Sequence, residues 1–199
     1  LDYTLEVKKI LIGVDEAGRG PLAGPVAVGI VAVPKRFNIR KAFPGVGDSK
    51  ALTEKKREEL YEVAVGLKKA GTITFCVRFA SASVIDSIGI SKAVRKSVWS
   101  GVLKLAPEAD TAHVLLDGLL SAPPEYLQKT IIKGDATEPV ISLASIIAKV
   151  SRDRLMHRLA KEYPEYGFEV HKGYGTKKHL DAISKFGLSE IHRRTYCHF

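Results

Sequence analysis

Four carboxylates stand where short apolar runs end. Asp15 and Glu16 directly follow Leu11-Ile12-Gly13-Val14, Asp117 follows Val114-Leu115-Leu116, and Asp135 follows Ile131-Ile132-Lys133-Gly134. Each has a plain structural reading: a turn at Asp15-Glu16, a tight strand exit at Asp117-Gly118, and a helix N-cap at Asp135. Together they mark three strand ends, and the carboxyl ends of strands in α/β sheets are where such folds build sites. Carboxylates brought close repel one another and resist ionisation, and hard divalent cations bound through oxygen relieve that repulsion. Mg²⁺ or Mn²⁺ is therefore the implied cofactor. Zn²⁺ fits less well, because no His/Cys cluster accompanies the acids. Neighbouring residues of a regular strand point to opposite faces, so Asp15 and Glu16 share a site only if the strand twists or ends there. That ranks Asp15 ahead of Glu16 as a direct ligand.

The elements that must position these acids follow from apolar periodicity. Lys9 to Val14 and Val26 to Val33 are β-branched runs that predict two strands of a hairpin, joined by the Gly/Pro-rich Gly18-Arg19-Gly20-Pro21-Leu22-Ala23-Gly24-Pro25. Thr53 can cap a helix that runs to about Ala70, Gly71 stops it, and Thr72 to Phe79 supplies a third strand. Helical sequence follows over Ile90 to Leu105, although Ser87-Ile88-Gly89-Ile90-Ser91-Lys92 interrupts the pattern. Ala112 to Leu116 and Thr130 to Ile132 give a fourth and a short fifth strand. Val140 to Leu159 reads as a helix buried at its start and exposed where Arg152, Arg154 and Arg158 enter. The expectation is an α/β fold: a mixed five-stranded sheet flanked by helices over residues 1–159, with a helical, basic extension over 160–199.

At 199 residues and 45% hydrophobic, the chain can bury one sizeable core. Its net charge of +9 favours a polyanionic partner. Cys76 and Cys197 are too few for a disulfide framework and predict a reducing compartment. No apolar run approaches the roughly 20 residues needed to span a bilayer, and Leu1-Asp2-Tyr3 does not open a signal peptide. A soluble, cytoplasmic protein is expected, without membrane partners and with a monomer as the default.

The run Asp15-Glu16-Ala17-Gly18-Arg19-Gly20-Pro21 with Gly24-Pro25 resembles the opening motif of the bacterial type 2 ribonucleases H. So do Asp48-Ser49-Lys50 with Leu52, Leu116-Asp117-Gly118, Lys133-Gly134-Asp135-Ala136, the stretch from Ala144 to Arg154, His171 to Thr176, and His192-Arg193-Arg194-Thr195-Tyr196. These blocks keep the family's order from about Ile10 to Tyr196. The resemblance implies a ribonuclease H-like fold in which Asp15, Glu16, Asp117 and Asp135 bind two catalytic metal ions. It implies hydrolysis of the RNA strand of RNA–DNA hybrids and cutting 5′ to ribonucleotides embedded in duplex DNA, leaving a 5′ phosphate and a 3′ hydroxyl. Gly18-Arg19-Gly20, otherwise a turn with a solvated cation, would read the ribose 2′ hydroxyl, because a bare glycine backbone can approach a sugar closely. Tyr174, otherwise a core or surface aromatic beside Lys172, Lys177 and Lys178, would pack on the deoxyribose that follows the last ribonucleotide. Lys50 reads either as a phosphate contact or as a solvated lysine ahead of a helix. Ser145 and Lys149 match the motif, with helix packing the preferred reading of Ser145, and Glu138 either assists Asp135 or suits the first turn of its helix. A junction resolvase of the same fold and a noncatalytic nucleic-acid-binding module are the competing readings. Gly18-Arg19-Gly20 and Tyr174 argue against the first, and metal-dependent cleavage separates the second.

Overall fold

The computed structural model describes residues 10–47 and 52–198, so the Asp48-Ser49-Lys50 block lies outside the described residues. Five strands form one sheet in the order β3-β2-β1-β4-β5. Strand β1 (Ile10–Ala17) pairs antiparallel with β2 (Val26–Pro34), which pairs antiparallel with β3 (Thr74–Ala80). On its other side β1 runs parallel to β4 (Ala112–Asp117), which runs parallel to β5 (Leu127–Ile131). The mixed sheet matches expectation, with one consequential difference: β1 continues to Ala17, so Asp15 and Glu16 belong to the strand. Its antiparallel bonding to β2 carries on to Ala17↔Ala27, whereas its pairing with β4 stops at Val14↔Leu116.

Helices cover both faces, as the unbroken burial of β2 from Val26 to Val33 requires. Even-numbered Ile12, Val14, Val28, Ile30, Val114 and Leu116 pack with α3 (Ala82–Ile88) and α4 (Ile90–Leu105). Gly89, at φ 80, separates those two helices, which accounts for the interrupted pattern there. The opposite face packs against α1 (Ile39–Ala42), α2 (Glu54–Lys69) and the long α6 (Pro139–Glu162), which follows the single turn α5 (Gly134–Thr137). Thr53 caps α2 as expected, its side chain accepting from the Lys56 N–H. Helix α6 lies unusually close to the sheet: a Cβ on Gly13 would collide with the Val140 carbonyl, and one on Gly29 with the Ala144 carbonyl. Among the described residues no helix is long and apolar enough to cross a membrane.

The C-terminal segment is helical, as its sequence suggests, in short pieces. Beyond α6 it contains α7 (Phe168–His171), α8 (Lys177–Phe186) and short 3₁₀ turns, and it packs a third core of Met156, Tyr166, Phe168 and Ile183 against Ala23 of the β1–β2 connection. Three histidines are built into it. His179 Nδ1 lies 2.9 Å from the Tyr174 carbonyl and must donate to it, so in the neutral ring Nε2 accepts from His192 Nε2, 3.0 Å away. His192 Nδ1 is then the acceptor that Ser189 N–H meets at 2.9 Å. His171 stacks on His179 at 4.4 Å and accepts the Gly173 N–H. The two bonds accepted by ring nitrogens, at His179 Nε2 and His192 Nδ1, require those rings to be neutral.

Two outcomes follow from the packing. Gly29→Ala forces α6 off the sheet, and overpacking of this kind costs about 1–3 kcal/mol, to be read as a lower urea midpoint at unchanged slope. Burial, with the adjacent His179 ring, pushes His192 down from 6.5 to about 4, and burial lowers His179 as well. The unfolded chain therefore binds protons that the folded one rejects: this stability is complete above about pH 6.5 and is lost as pH falls towards 4. Hydrogen exchange at pH 5 should show residues 171–192 losing protection before β1 and β2, and uniform protection down to pH 4 would contradict it.

Candidate functional site

The recess opens where β1 and β4 part company. It measures about 350 Å³ and is lined by Asp15, Glu16, Asp117, the segment Ala17 to Gly20, Ser145, Lys149, Arg152 and Tyr174. Alternation along the strands sets Asp15 and Asp117 on the face covered by α6 and Glu16 on the other. All three nevertheless reach one recess, because the strands that carry them are no longer bonded beyond Val14↔Leu116. The carboxylates reach a common space because the ladder ends there, although β1 itself continues.

Helix α6 completes the wall. Ser145, Lys149 and Arg152 are spaced i, i+4 and i+7 and so share one side of the helix. The Ser145 hydroxyl hydrogen-bonds to the Asp15 carboxylate, so the packing reading of Ser145 understates it. Lys149 Nζ reaches Asp153 Oδ1 at 2.8 Å on the same helix. Arg152, expected at the exposed end, is 1% exposed. That spacing was legible in the sequence; the burial of Arg152 was not.

Asp135 is 5% exposed and sits within α5 rather than capping a helix. It does not line the recess itself, but its N–H donates to Asp117 Oδ1 at 3.3 Å, tying the two acidic segments together. Glu138 serves as the N-cap residue of α6, its carbonyl accepting the Ser142 N–H, and it does not line the recess. Lys172 is turned away, its ammonium near the Glu169 carbonyl and the His157 ring.

Across from the acids lies the connection between β1 and β2. Gly18 has φ 91, and the space a Cβ would need is filled by the Arg152 side chain, so only glycine fits. Arg19 Nη1 lies 3.5 Å from Glu16 Oε1. Gly20 faces open space, with the Tyr174 ring edge 4.0 Å from where its Cβ would stand. Tyr174 is 45% exposed, and its loop is tied to the connection by Leu22 N–H donating to the Gly173 carbonyl at 2.8 Å.

The electrostatics fit a hard cation. Burial first, opposed by the Ser145 hydrogen bond and reinforced by Glu16 and Asp117, raises Asp15 from 3.8 to about 8. Glu16 is raised by burial against the pull of Arg19, with Asp117 adding to the rise. Oε2 of Glu16 is buried with no hydrogen-bond partner, an acceptor aimed at nothing the chain supplies. Among the described residues no three His, Cys, Asp or Glu side chains stand close enough to hold an ion by themselves. Mutually repelling carboxylates need a cation to draw them in, and oxygen ligands suit Mg²⁺ or Mn²⁺.

The comparisons agree with this geometry. Residues 12–199 match the family model described as ribonuclease HII. Ribonuclease HII of Bacillus cytotoxicus is 46% identical over 188 residues, covering 94% of this chain and 68% of that one. The fold is similar to that of RNase HII from Archaeoglobus fulgidus, solved in complex with PCNA: TM-score 0.76, 25% identity, and 94% and 95% of the two chains covered. Ribonuclease H2 of Pyrococcus horikoshii OT3 aligns at TM-score 0.72 and 27% identity, over 94% and 93% of the chains. With a family model spanning nearly its whole length and a relative at 46% identity, the chain belongs to the ribonuclease HII family and is a ribonuclease H, a hydrolase.

Proposed function

We propose that this ribonuclease H hydrolyses the RNA strand of RNA–DNA hybrids and also cuts 5′ to single ribonucleotides embedded in duplex DNA, leaving a 5′ phosphate and a 3′ hydroxyl. What supports the reading is a single recess lined by acids from the ends of β1 and β4, the bare backbone of Gly18-Arg19-Gly20 and the ring of Tyr174. Asp15, Glu16, Asp117 and Asp135 would hold two divalent ions, Mg²⁺ or Mn²⁺. Bound there, such ions supply charge neutralisation and Lewis acidity to a phosphodiester and the water that attacks it.

The chain's own groups do the rest. Ser145 fixes the Asp15 carboxylate, and the Asp135 N–H fixes that of Asp117, so each acid is oriented before substrate arrives. Lys149 adds positive charge at the wall of the recess, where a phosphate would lie. The open space before Gly20 lets a ribose approach the main chain and present its 2′ hydroxyl. The Tyr174 ring forms the facing wall, flat against a deoxyribose and crowded by an added hydroxyl. Residues 160–199 form an extension that contributes to substrate binding, with exposed Lys177 and Lys178 beside Tyr174 meeting phosphates. Lys50 remains a candidate phosphate contact. The free thiols of Cys76 and Cys197 accord with a cytoplasmic enzyme, which we take to act as a monomer.

Offering the protein labelled DNA, RNA, RNA–DNA hybrid and DNA with one ribonucleotide tests the reading directly. Cleavage confined to the last two, abolished by chelator, is the expected result. Asp117→Asn and Asp135→Asn keep side-chain size and should cut turnover by roughly 100-fold or more at unchanged thermal stability, since each 1.4 kcal/mol of lost stabilisation is tenfold in rate. Normal turnover in either variant removes that residue from the metal site. Tyr174→Ala should lower the ratio of cleavage efficiency on the single-ribonucleotide duplex to that on a long hybrid, and an unchanged ratio takes Tyr174 out of junction sensing.

A further inference from the structure

The two most deeply buried cations in the described chain lie beside this recess, and the carboxylates do not hold them. Arg152 is 1% and Arg193 0% exposed, and each makes three hydrogen bonds to main-chain carbonyls. Arg152 donates to Pro25, Ala23 and Lys172; Arg193 donates to Gly24 at 3.0 Å and to Gly18 and Arg19 at 2.7 Å each. Burial of a charge is costly, and a planar fork of fixed N–H donors is what makes it tolerable here: a lysine ammonium cannot span two successive carbonyls in the same way.

The grip on Gly18 and Arg19 has a stereochemical result. In a trans peptide the carbonyl of one residue and the N–H of the next point in opposite directions, and the structure contains no cis peptide. Holding the Gly18 and Arg19 carbonyls inward therefore turns the N–H groups of Arg19 and Gly20 away from Arg193, on the exposed side of the connection. Among the described residues neither of these amides donates to a main-chain carbonyl, whereas those of Leu22, Ala23 and Gly24 all do. Two adjacent donors are thus left free at the edge of the recess.

We propose that Arg193 is a positioning residue that aims the Arg19 and Gly20 amides at the ribose of the nucleotide to be cut, and that recognition of a lone ribonucleotide depends on it. This rests on the function proposed above. A long hybrid offers a 2′ hydroxyl in every register, so a loosened loop still finds one; a duplex with one ribonucleotide offers a single register, and misaimed donors miss it. Arg193 is in turn anchored from outside the recess. Asp86, on α3, accepts from the Arg194 N–H at 2.9 Å, the Thr195 N–H at 3.1 Å and the Thr195 hydroxyl at 2.5 Å, fixing the chain next to it.

The test compares cleavage efficiencies on the single-ribonucleotide duplex and on a long hybrid for the unmodified protein, Arg193→Lys and Asp86→Ala, with Mn²⁺ affinity and thermal stability measured alongside. Arg193→Lys should lower the single-ribonucleotide to hybrid ratio by about tenfold, the equivalent of one well-placed hydrogen bond, at unchanged Mn²⁺ affinity. Asp86→Ala should move the ratio the same way by less. If Arg193→Lys does not fold, Asp86→Ala decides alone. A folded variant that loses both activities equally, or keeps the ratio, overturns the proposal and leaves the functional reading intact. Failure of the unmodified protein to cut the single-ribonucleotide duplex sinks that reading, and this inference with it.

Discussion

Helix α6 rests on β1 and β2 at a distance that side chains would forbid, and Gly13 and Gly29 make that approach possible by leaving the sheet bare where Val140 and Ala144 come down on it. Much of the site depends on this contact. It brings Ser145 to the Asp15 carboxylate and sets Lys149 at the recess one turn further on. It also brings Arg152 under the β1–β2 connection. Because interiors are close-packed, a helix held that near has little freedom to shift, and the groups along it are positioned rigidly.

Charge is distributed around the recess in two sets. On one side Asp15 is buried with Glu16 and Asp117 half-buried beside it; burial above all raises Asp15 to about 8, and an oxygen of Glu16 is left with no partner. On the other, Arg152 and Arg193 are held by carbonyl dipoles, and burial together with the nearby charge of Arg193 lowers Arg152 to about 10. Neither set neutralises the other within ion-pair distance; the link at the rim is Arg19 to Glu16 at 3.5 Å. An arrangement of this kind is unfavourable for folding and useful for catalysis, since preorganised charges need little rearrangement when substrate binds.

The C-terminal segment acts as a brace for the connection that carries Gly18-Arg19-Gly20. Gly173 accepts from Leu22, Arg193 N–H donates to the Leu22 carbonyl, and Ala23 bridges to His192. The neutral histidine chain holds the Tyr174 carbonyl from behind, so the aromatic wall and the glycine wall of the recess are tied to one small core.

Local sequence determined a good deal: the five strands, the capped α2, the acids at strand ends and the glycine-rich connection all follow from periodicity, turn chemistry and residue type, which act over a few neighbours. The family motifs located Tyr174 and the four acids in the chain. Tertiary structure alone decided how they meet. Whether Glu16 could join Asp15 depended on β1 keeping β2 while losing β4, a matter of pairing between strands about a hundred residues apart. Ser145 reads as a packing residue until Asp15 is set against it. Arg152 reads as a surface cation, and the closing motif gives Arg193 no place in the fold, because a charged side chain is expected in water unless partners exist to replace it. Their partners are backbone carbonyls of residues 18–25 and of Lys172, which carry no side-chain signature in the sequence and come within reach only when the two ends of the chain fold together.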